Sequence, residues 1–150
     1  MKGLSGRERD GVYNGAYGQA YQVYQQNQVQ TVAPEKLVTM LYEGAIRFLA
    51  QGEASCRQEK VEETHQLLVK AQAILVELMS NVNREAGDIG ESLYLLYDYL
   101  YRRLIEANLK KDPEIIIEVK ELIKELRDAW VEAVAKKNGP ASGTGPQLVK

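Results

Sequence analysis

The sequence predicts an all-α protein: an antiparallel up-down bundle of four long helices, plus a short N-terminal helix that a partner could displace. Between residues 34 and 136, apolar side chains recur with the period of about 3.6 residues that marks a helix with one buried face. No stretch alternates apolar and polar residues as a half-buried strand does, and the β-branched run Ile115–Ile117 lies inside the helical pattern. Connections of a few residues place consecutive helices side by side and antiparallel.

The first two helices are predicted from Pro34 to about Arg57 and from about Val61 to Asn83. Pro34 suits the first position of a helix, where its missing N–H costs no hydrogen bond. Glu35 follows it and complements the positive end of the helix dipole.

The third and fourth helices carry stronger start signals. In DIGE, Asp88 is predicted to cap the third helix while Glu91 reaches back as a capping box, and this helix ends near Lys110. In DPE, Asp112 is predicted to cap the fourth helix, with Pro113 in its first turn. That helix continues to about Lys136 and ends at the NGP sequence.

The two ends of the chain differ in composition from the predicted bundle at 34–136. Residues 1–33 are rich in Tyr and Gln, and tyrosines at 13, 17, 21 and 24 would share one face of a helix. Two interpretations remain open for this segment: a disordered polar tail, or a marginal helix that docks by its tyrosines and can be displaced. Residues 137–150, KNGPASGTGPQLVK, are rich in Gly and Pro and are predicted to form a flexible tail.

Composition excludes several classes of function. The formal net charge is −2 and the pI is about 5.6, whereas a nucleic-acid-binding surface needs a clear basic excess. The single cysteine, Cys56, allows no internal disulfide and suits a reducing compartment. No apolar run approaches the roughly 20 residues of a membrane span, and the N-terminal residues lack the apolar stretch of a signal peptide. We therefore expect a cytoplasmic protein without nucleic acid or membrane insertion.

The sequence contains no recognisable catalytic or metal-binding constellation. Glu62 and His65 have the Glu-x-x-His spacing of half a di-iron site, but such a site needs the motif twice and there is one histidine. Cys56 has no second cysteine at metal-binding spacing. GDIGES lacks the lysine of a phosphate-binding loop. We predict no catalytic residues, no metal and no cofactor.

Three of the four helices carry a wider apolar arc than the roughly 100° that a bundle helix needs. In the third helix, Leu95 and Tyr99 lie nearly opposite the predicted core residues, and the first two helices have similar apolar flanks. Three explanations remain open: the Tyr-rich N-terminus covers the surplus, the chain forms a homodimer, or a helical partner docks there. The predicted contact residues are Tyr42, Ile46, Leu67, Ile74, Leu78, Leu95 and Tyr99.

Four stretches of this chain resemble a known family. They are AYQVYQQNQVQTVAPEKLVTMLYEGAIRFL (Ala20–Leu49), KAQAILVEL (Lys70–Leu78), LYLLYDYLYRRLIEANLKKDPE (Leu93–Glu114) and ELRDAWVEA (Glu125–Ala133). The LYDYLYRRLIEAN string with the downstream LRDAW is the most specific part. With these motifs the chain resembles the flagellar secretion chaperone FliS, which is specific for flagellin.

The resemblance implies a non-enzymatic, cytoplasmic export chaperone. It implies binding of the C-terminal segment of flagellin, which prevents premature polymerisation, and delivery to the flagellar type III export gate. It also implies a mobile N-terminal cap, which here would be the region of Tyr17, Tyr21 and Tyr24. A structural homodimer that uses the same apolar surface for self-association is the alternative.

Overall fold

Four α-helices make up almost all of the structure, a computed structural model that describes residues 33–138. They are α1 (Pro34–Arg57), α2 (Val61–Ser80), α3 (Asp88–Lys110) and α4 (Pro113–Asn138), with a short 3₁₀ turn at Arg84–Ala86 before α3. Residues 33–138 contain no strand, so the predicted all-α class is confirmed. Helix α2 ends three residues before the predicted Asn83, and α4 continues two residues past the predicted Lys136. The N-terminal cap at 1–32 and the tail from 139 lie outside the described residues.

The four helices form a closed antiparallel ring. Helix α1 packs against α2 and α4, and α3 packs against the same two neighbours from the opposite corner. Pairs of contacts establish the direction: Glu35, at the start of α1, meets Lys137 near the end of α4, and Arg103 in the second half of α3 meets Glu118 early in α4. Each helix therefore has two flanks to cover as well as an inward face.

Large aliphatic side chains fill the centre of the ring. The largest fully buried ones are Leu49, Leu68, Leu75, Leu100, Leu104, Ile116, Val119 and Ile123. They come from all four helices, and each contributes about 1.5–3 kcal/mol by leaving water. One continuous apolar core thus holds the ring together.

The helix starts agree with the sequence at α1 and α4 but not at α3. Pro34 occupies the first turn of α1, and Asp112 caps α4 by accepting a hydrogen bond at 3.0 Å from the Glu114 N–H. The predicted capping box of α3 is wrong, because Gly87 is the capping residue and Asp88 is already helical. The Glu91 carboxylate pairs instead with Arg84, at 3.0 and 3.1 Å. A bidentate pair between a guanidinium and a carboxylate is stronger than a single hydrogen bond from a backbone N–H to the carboxylate.

The segment between α2 and α3 packs very closely against the first turn of α3. A Cβ at Gly90 would lie 2.2 Å from the Asn83 carbonyl oxygen, so glycine is required there. This contact holds the 3₁₀ turn against α3 and brings Arg84 over the Tyr94 ring, with 3.8 Å between the guanidinium carbon and the ring centre. The turn thus forms a fixed rim at one end of the space between α2 and α3.

Candidate functional site

Four of the seven predicted contact residues are buried within the protein itself: Tyr42, Leu67, Ile74 and Leu78. The expectation that they form a surplus exposed flank is wrong. Ile74 is 5% exposed, and its Cδ1 lies so close to Gly44 that a Cβ there would be 3.3 Å away. A helix in a closed ring covers two neighbours, so its apolar arc must be wider than the arc of a helix on a flat surface.

Tyr42 is buried through a polar contact with the diagonal helix. Its hydroxyl lies 2.5 Å from the hydroxyl of Tyr97 on α3, and both residues are 2% exposed. Burial raises the pKa of both tyrosines above the ordinary value, so both hydroxyls stay protonated at neutral pH. Tyr42 therefore belongs to the core, where it links α1 to α3.

The outer face of α3 is exposed and apolar, as predicted. Leu95 is 53% exposed and Tyr99 is 40% exposed. Two further residues on this face, Ile105 at 38% and Leu109 at 81%, were missed from the sequence. At about 100° per residue, Leu109 falls within about 80° of Leu95 and Tyr99, so helical spacing alone could have found it. We call Leu95, Tyr99, Ile105 and Leu109 the α3 ridge. Ile46 on α1 is half-buried and lies apart from it on the diagonal helix.

A shallow groove separates α2 from α3 beside the ridge. It encloses about 300 Å³ and is lined mostly by apolar and aromatic side chains. The lining residues are Val76, Met79, Ser80, Tyr94, Asp98 and Tyr101, which we call the α2–α3 groove. The groove could not be predicted from the sequence, because its walls come from two helices whose relative rotation only the folded protein defines.

A charged network joins the ridge to α4. The Tyr99 hydroxyl donates to the Glu118 carboxylate at 2.7 Å, and the Arg103 guanidinium donates to the other Glu118 oxygen at 2.5 Å. Arg103 also donates to Glu106 at 2.6 Å. Arg103 and then Tyr99 lower the pKa of Glu118, and the contact with Glu118 raises the pKa of Tyr99. Lys110 and Arg103 also lower the pKa of Glu106, so at neutral pH the network contains a neutral tyrosine, two charged carboxylates and a charged guanidinium.

The two side chains considered for catalysis or metal binding, Cys56 and His65, both pair with other residues of the protein. Within residues 33–138, no group of three or more His, Cys, Asp or Glu side chains is arranged so that it could hold a metal ion. Cys56 is buried, its thiol donates to the Lys111 carbonyl at 3.2 Å, and burial raises the pKa of the thiol. His65 Nδ1 lies 2.9 Å from the Asn108 side-chain nitrogen, which makes it a link between α2 and α3. No helix in this part of the chain is long and apolar enough to span a membrane.

Comparison with solved structures identifies the class of protein. A crystal structure of a bacterial flagellar chaperone superposes with a TM-score of 0.64 at 26% sequence identity, covering 77% of this chain and 95% of that one. The similarity therefore extends over most of both chains and indicates a flagellar chaperone.

Sequence comparison identifies the family. The model of the flagellar protein FliS matches residues 17–137. The flagellar secretion chaperone FliS of Bacillus subtilis is 36% identical over 83% of this chain and 93% of its own length. The protein of the same name from Vibrio cholerae is 38% identical over 75% of this chain and 84% of its own. The chain belongs to the FliS family of flagellar secretion chaperones, a family of chaperones and not of enzymes.

Proposed function

We propose that this export chaperone acts in the cytoplasm by binding the C-terminal segment of flagellin, preventing its premature polymerisation and helping its delivery to the flagellar type III export apparatus. The observation that carries the proposal is the exposure of Leu95 and Tyr99 on a bundle whose core is otherwise closed. Contiguous exposed apolar side chains of this kind mark protein interaction sites. The family supports an export role, and the ridge supplies a surface for it.

The proposed mechanism is burial of apolar surface on both partners. The α3 ridge runs along the outer face of α3 and the α2–α3 groove runs between that helix and α2, an arrangement that suits an amphipathic segment laid lengthwise. Full burial of a ridge side chain is worth about 1.5–3 kcal/mol, and because Leu95 and Tyr99 are 53% and 40% exposed, covering each of them contributes roughly half of that. Ordering a disordered segment offsets part of that gain, so several side chains must take part. While covered, the segment cannot pair with other flagellin molecules.

Two parts of the proposal concern residues away from the ridge. The half-buried Ile46 remains a proposed contact on α1, whereas a role for Tyr42, Leu67, Ile74 or Leu78 would require the bundle to open. The N-terminal cap formed by Tyr17, Tyr21 and Tyr24 lies outside the described residues and stays a prediction. Docking at the export gate likewise stays a prediction.

Calorimetric titration with the C-terminal segment of the cognate flagellin tests the proposal. We expect saturable binding of one segment per chain, with a negative heat-capacity change that reports apolar burial. Absence of binding at micromolar concentrations would contradict it.

The alternative is a homodimer in which the α3 ridge meets its own copy. Light scattering at micromolar concentration distinguishes the two, because a chaperone with a free ridge is a monomer before the segment is added. A stable dimer that fails to bind the segment would favour the alternative.

A further inference from the structure

Tyr99 differs from the other ridge residues because its polar end is held from a neighbouring helix. The hydroxyl donates to Glu118 on α4 at 2.7 Å, while the residue as a whole remains 40% exposed. A tyrosine on an otherwise free helix face samples several rotamers, and binding a partner would have to immobilise it. Here the hydrogen bond already selects one direction for the side chain.

Glu118 is itself held in place. Arg103, one turn along α3 from Tyr99, donates to the second Glu118 oxygen at 2.5 Å and to Glu106 at 2.6 Å. Arg103 is only 25% exposed at its side chain, so its position is restricted by packing as well as by its two carboxylate partners. The chain of contacts therefore runs from a packed arginine, through a carboxylate, to the exposed aromatic ring.

The network also affects the cost of covering this part of the surface. A carboxylate under a bound apolar segment would lose water, which is expensive for an unpaired charge. Glu118 has both oxygens hydrogen-bonded within the protein, one of them to a guanidinium. Because its charge is paired with Arg103 and both oxygens are hydrogen-bonded, an apolar segment can lie over the α3–α4 seam at a smaller penalty than over an unpaired carboxylate.

We propose that Glu118 and Arg103 are positioning residues that hold Tyr99 as a preset aromatic anchor for the bound flagellin segment. The inference rests on the proposed function and adds to it that part of the affinity is prepared in the free chaperone. Immobilising a flexible side chain costs roughly 0.5–1.5 kcal/mol, which corresponds to an affinity change of about 2- to 10-fold. Neither positioning residue needs to touch the segment to have this effect.

A set of variants tests the inference by titration with the flagellin segment. Glu118→Ala and Tyr99→Phe should each weaken binding by about 2- to 10-fold. The double variant should lose no more affinity than the single variant with the larger loss, because both changes remove the same hydrogen bond. Glu118→Gln should lose less affinity than Glu118→Ala, because its amide can still hydrogen-bond to the Tyr99 hydroxyl, although its NH2 group cannot accept from Arg103 as the second carboxylate oxygen does. Glu53→Ala is the matched control: it removes a 2.8 Å ion pair with Lys120 between α1 and α4, away from Tyr99, and should leave affinity unchanged.

Side-chain dynamics of the free protein provide a second readout that a purely structural role would not change. The Tyr99 ring should become more mobile by NMR in Glu118→Ala while the thermal midpoint shifts by no more than in Glu53→Ala. Additive losses in the double variant, or wild-type affinity in Glu118→Ala, would overturn the inference. If Leu95→Asp weakens binding while Glu118→Ala does not, the preset anchor is wrong and the proposed function stands. If Leu95→Asp has no effect either, the binding surface itself is wrong.

Discussion

The α1–α2 contact and the outer face of α3 both carry large apolar side chains, but these side chains are buried in the first region and exposed in the second. Ile74 of α2 is 5% exposed because Gly44 lets the two helices approach closely. Leu95 of α3 is 53% exposed because it points away from both of that helix's neighbours. A wide apolar arc on a helix of the ring therefore has two distinct causes. The part facing a neighbour holds the fold together, and the part facing outward is available to a partner.

Ile74→Asp, at the buried contact between α1 and α2, should reduce the stability of the protein more than any change on the outer face of α3. The carboxylate would be buried against α1 without a partner, which we expect to cost about 4 kcal/mol or more and to abolish cooperative unfolding. Urea unfolding followed by circular dichroism measures it, with Ile74→Val as a control that costs about 1 kcal/mol. A folded Ile74→Asp protein that loses only flagellin binding would place this face in the interface.

Leu95→Asp combined with Tyr99→Asp should have the opposite outcome. Helix content should be retained and the free energy of unfolding should fall by about 1–2 kcal/mol, because both positions face solvent in part but Tyr99→Asp removes the hydrogen bond to Glu118 and places a second carboxylate near it. The dissociation constant for the flagellin segment should rise about 100-fold as two apolar contacts are lost. Val131→Asp on α4, also an exposed apolar position at 45%, is the control and should bind normally. Unfolding of the double variant would mean that these residues belong to the core.

The Tyr42–Tyr97 pair stabilises the inside of the bundle through one buried contact between hydroxyls. Replacing either tyrosine by Phe leaves one buried hydroxyl without its partner and should cost about 1–2 kcal/mol. The double Phe variant should cost less than the sum of the two single changes, since no hydroxyl is then left unpaired. Denaturant unfolding of the two single variants and the double variant, compared with the wild type, gives a double-mutant cycle for the pair. Strict additivity would mean that the two hydroxyls do not interact.

The same pair predicts a smaller effect of alkaline pH. Burial raises the pKa of both hydroxyls above the ordinary value of 10.0, so the folded protein holds these protons more tightly than the unfolded chain. Their contribution to stability is complete below about pH 10 and is lost as the pH rises from there towards the folded-state pKa. The double Phe variant should lose less stability than wild type between pH 9 and 11, measured by denaturant unfolding. An identical pH dependence would contradict the assignment.

The fold could be predicted from local signals in the chain. Pro34 and the Asp112–Pro113 pair marked two helix starts correctly because their effects depend on backbone groups one or two residues away. The capping box at Asp88 failed for the converse reason. The Glu91 side chain pairs with Arg84, which lies outside the helix. The position of Arg84 depends on the close contact between the Asn83 carbonyl and Gly90, which the sequence does not reveal.

The binding surface could be predicted only in part. Leu95 and Tyr99 lay opposite the α3 core and were identified by angle alone. For α1 and α2, the same angular argument could not tell a flank facing a neighbour from a flank facing solvent, so it selected buried residues such as Ile74 and Leu78. The Tyr99–Glu118 contact joins residues on different helices, and no sequence period relates them.

Mapping the bound flagellin segment on the isotope-labelled protein by NMR tests the central claim most directly. We predict that the largest chemical-shift changes fall on the α3 ridge and the α2–α3 groove, with Leu95, Tyr99 and Val76 among them, while the side chains between α1 and α2 change little. Changes concentrated around Ile74 and Gly44, with an undisturbed outer face of α3, would contradict the account.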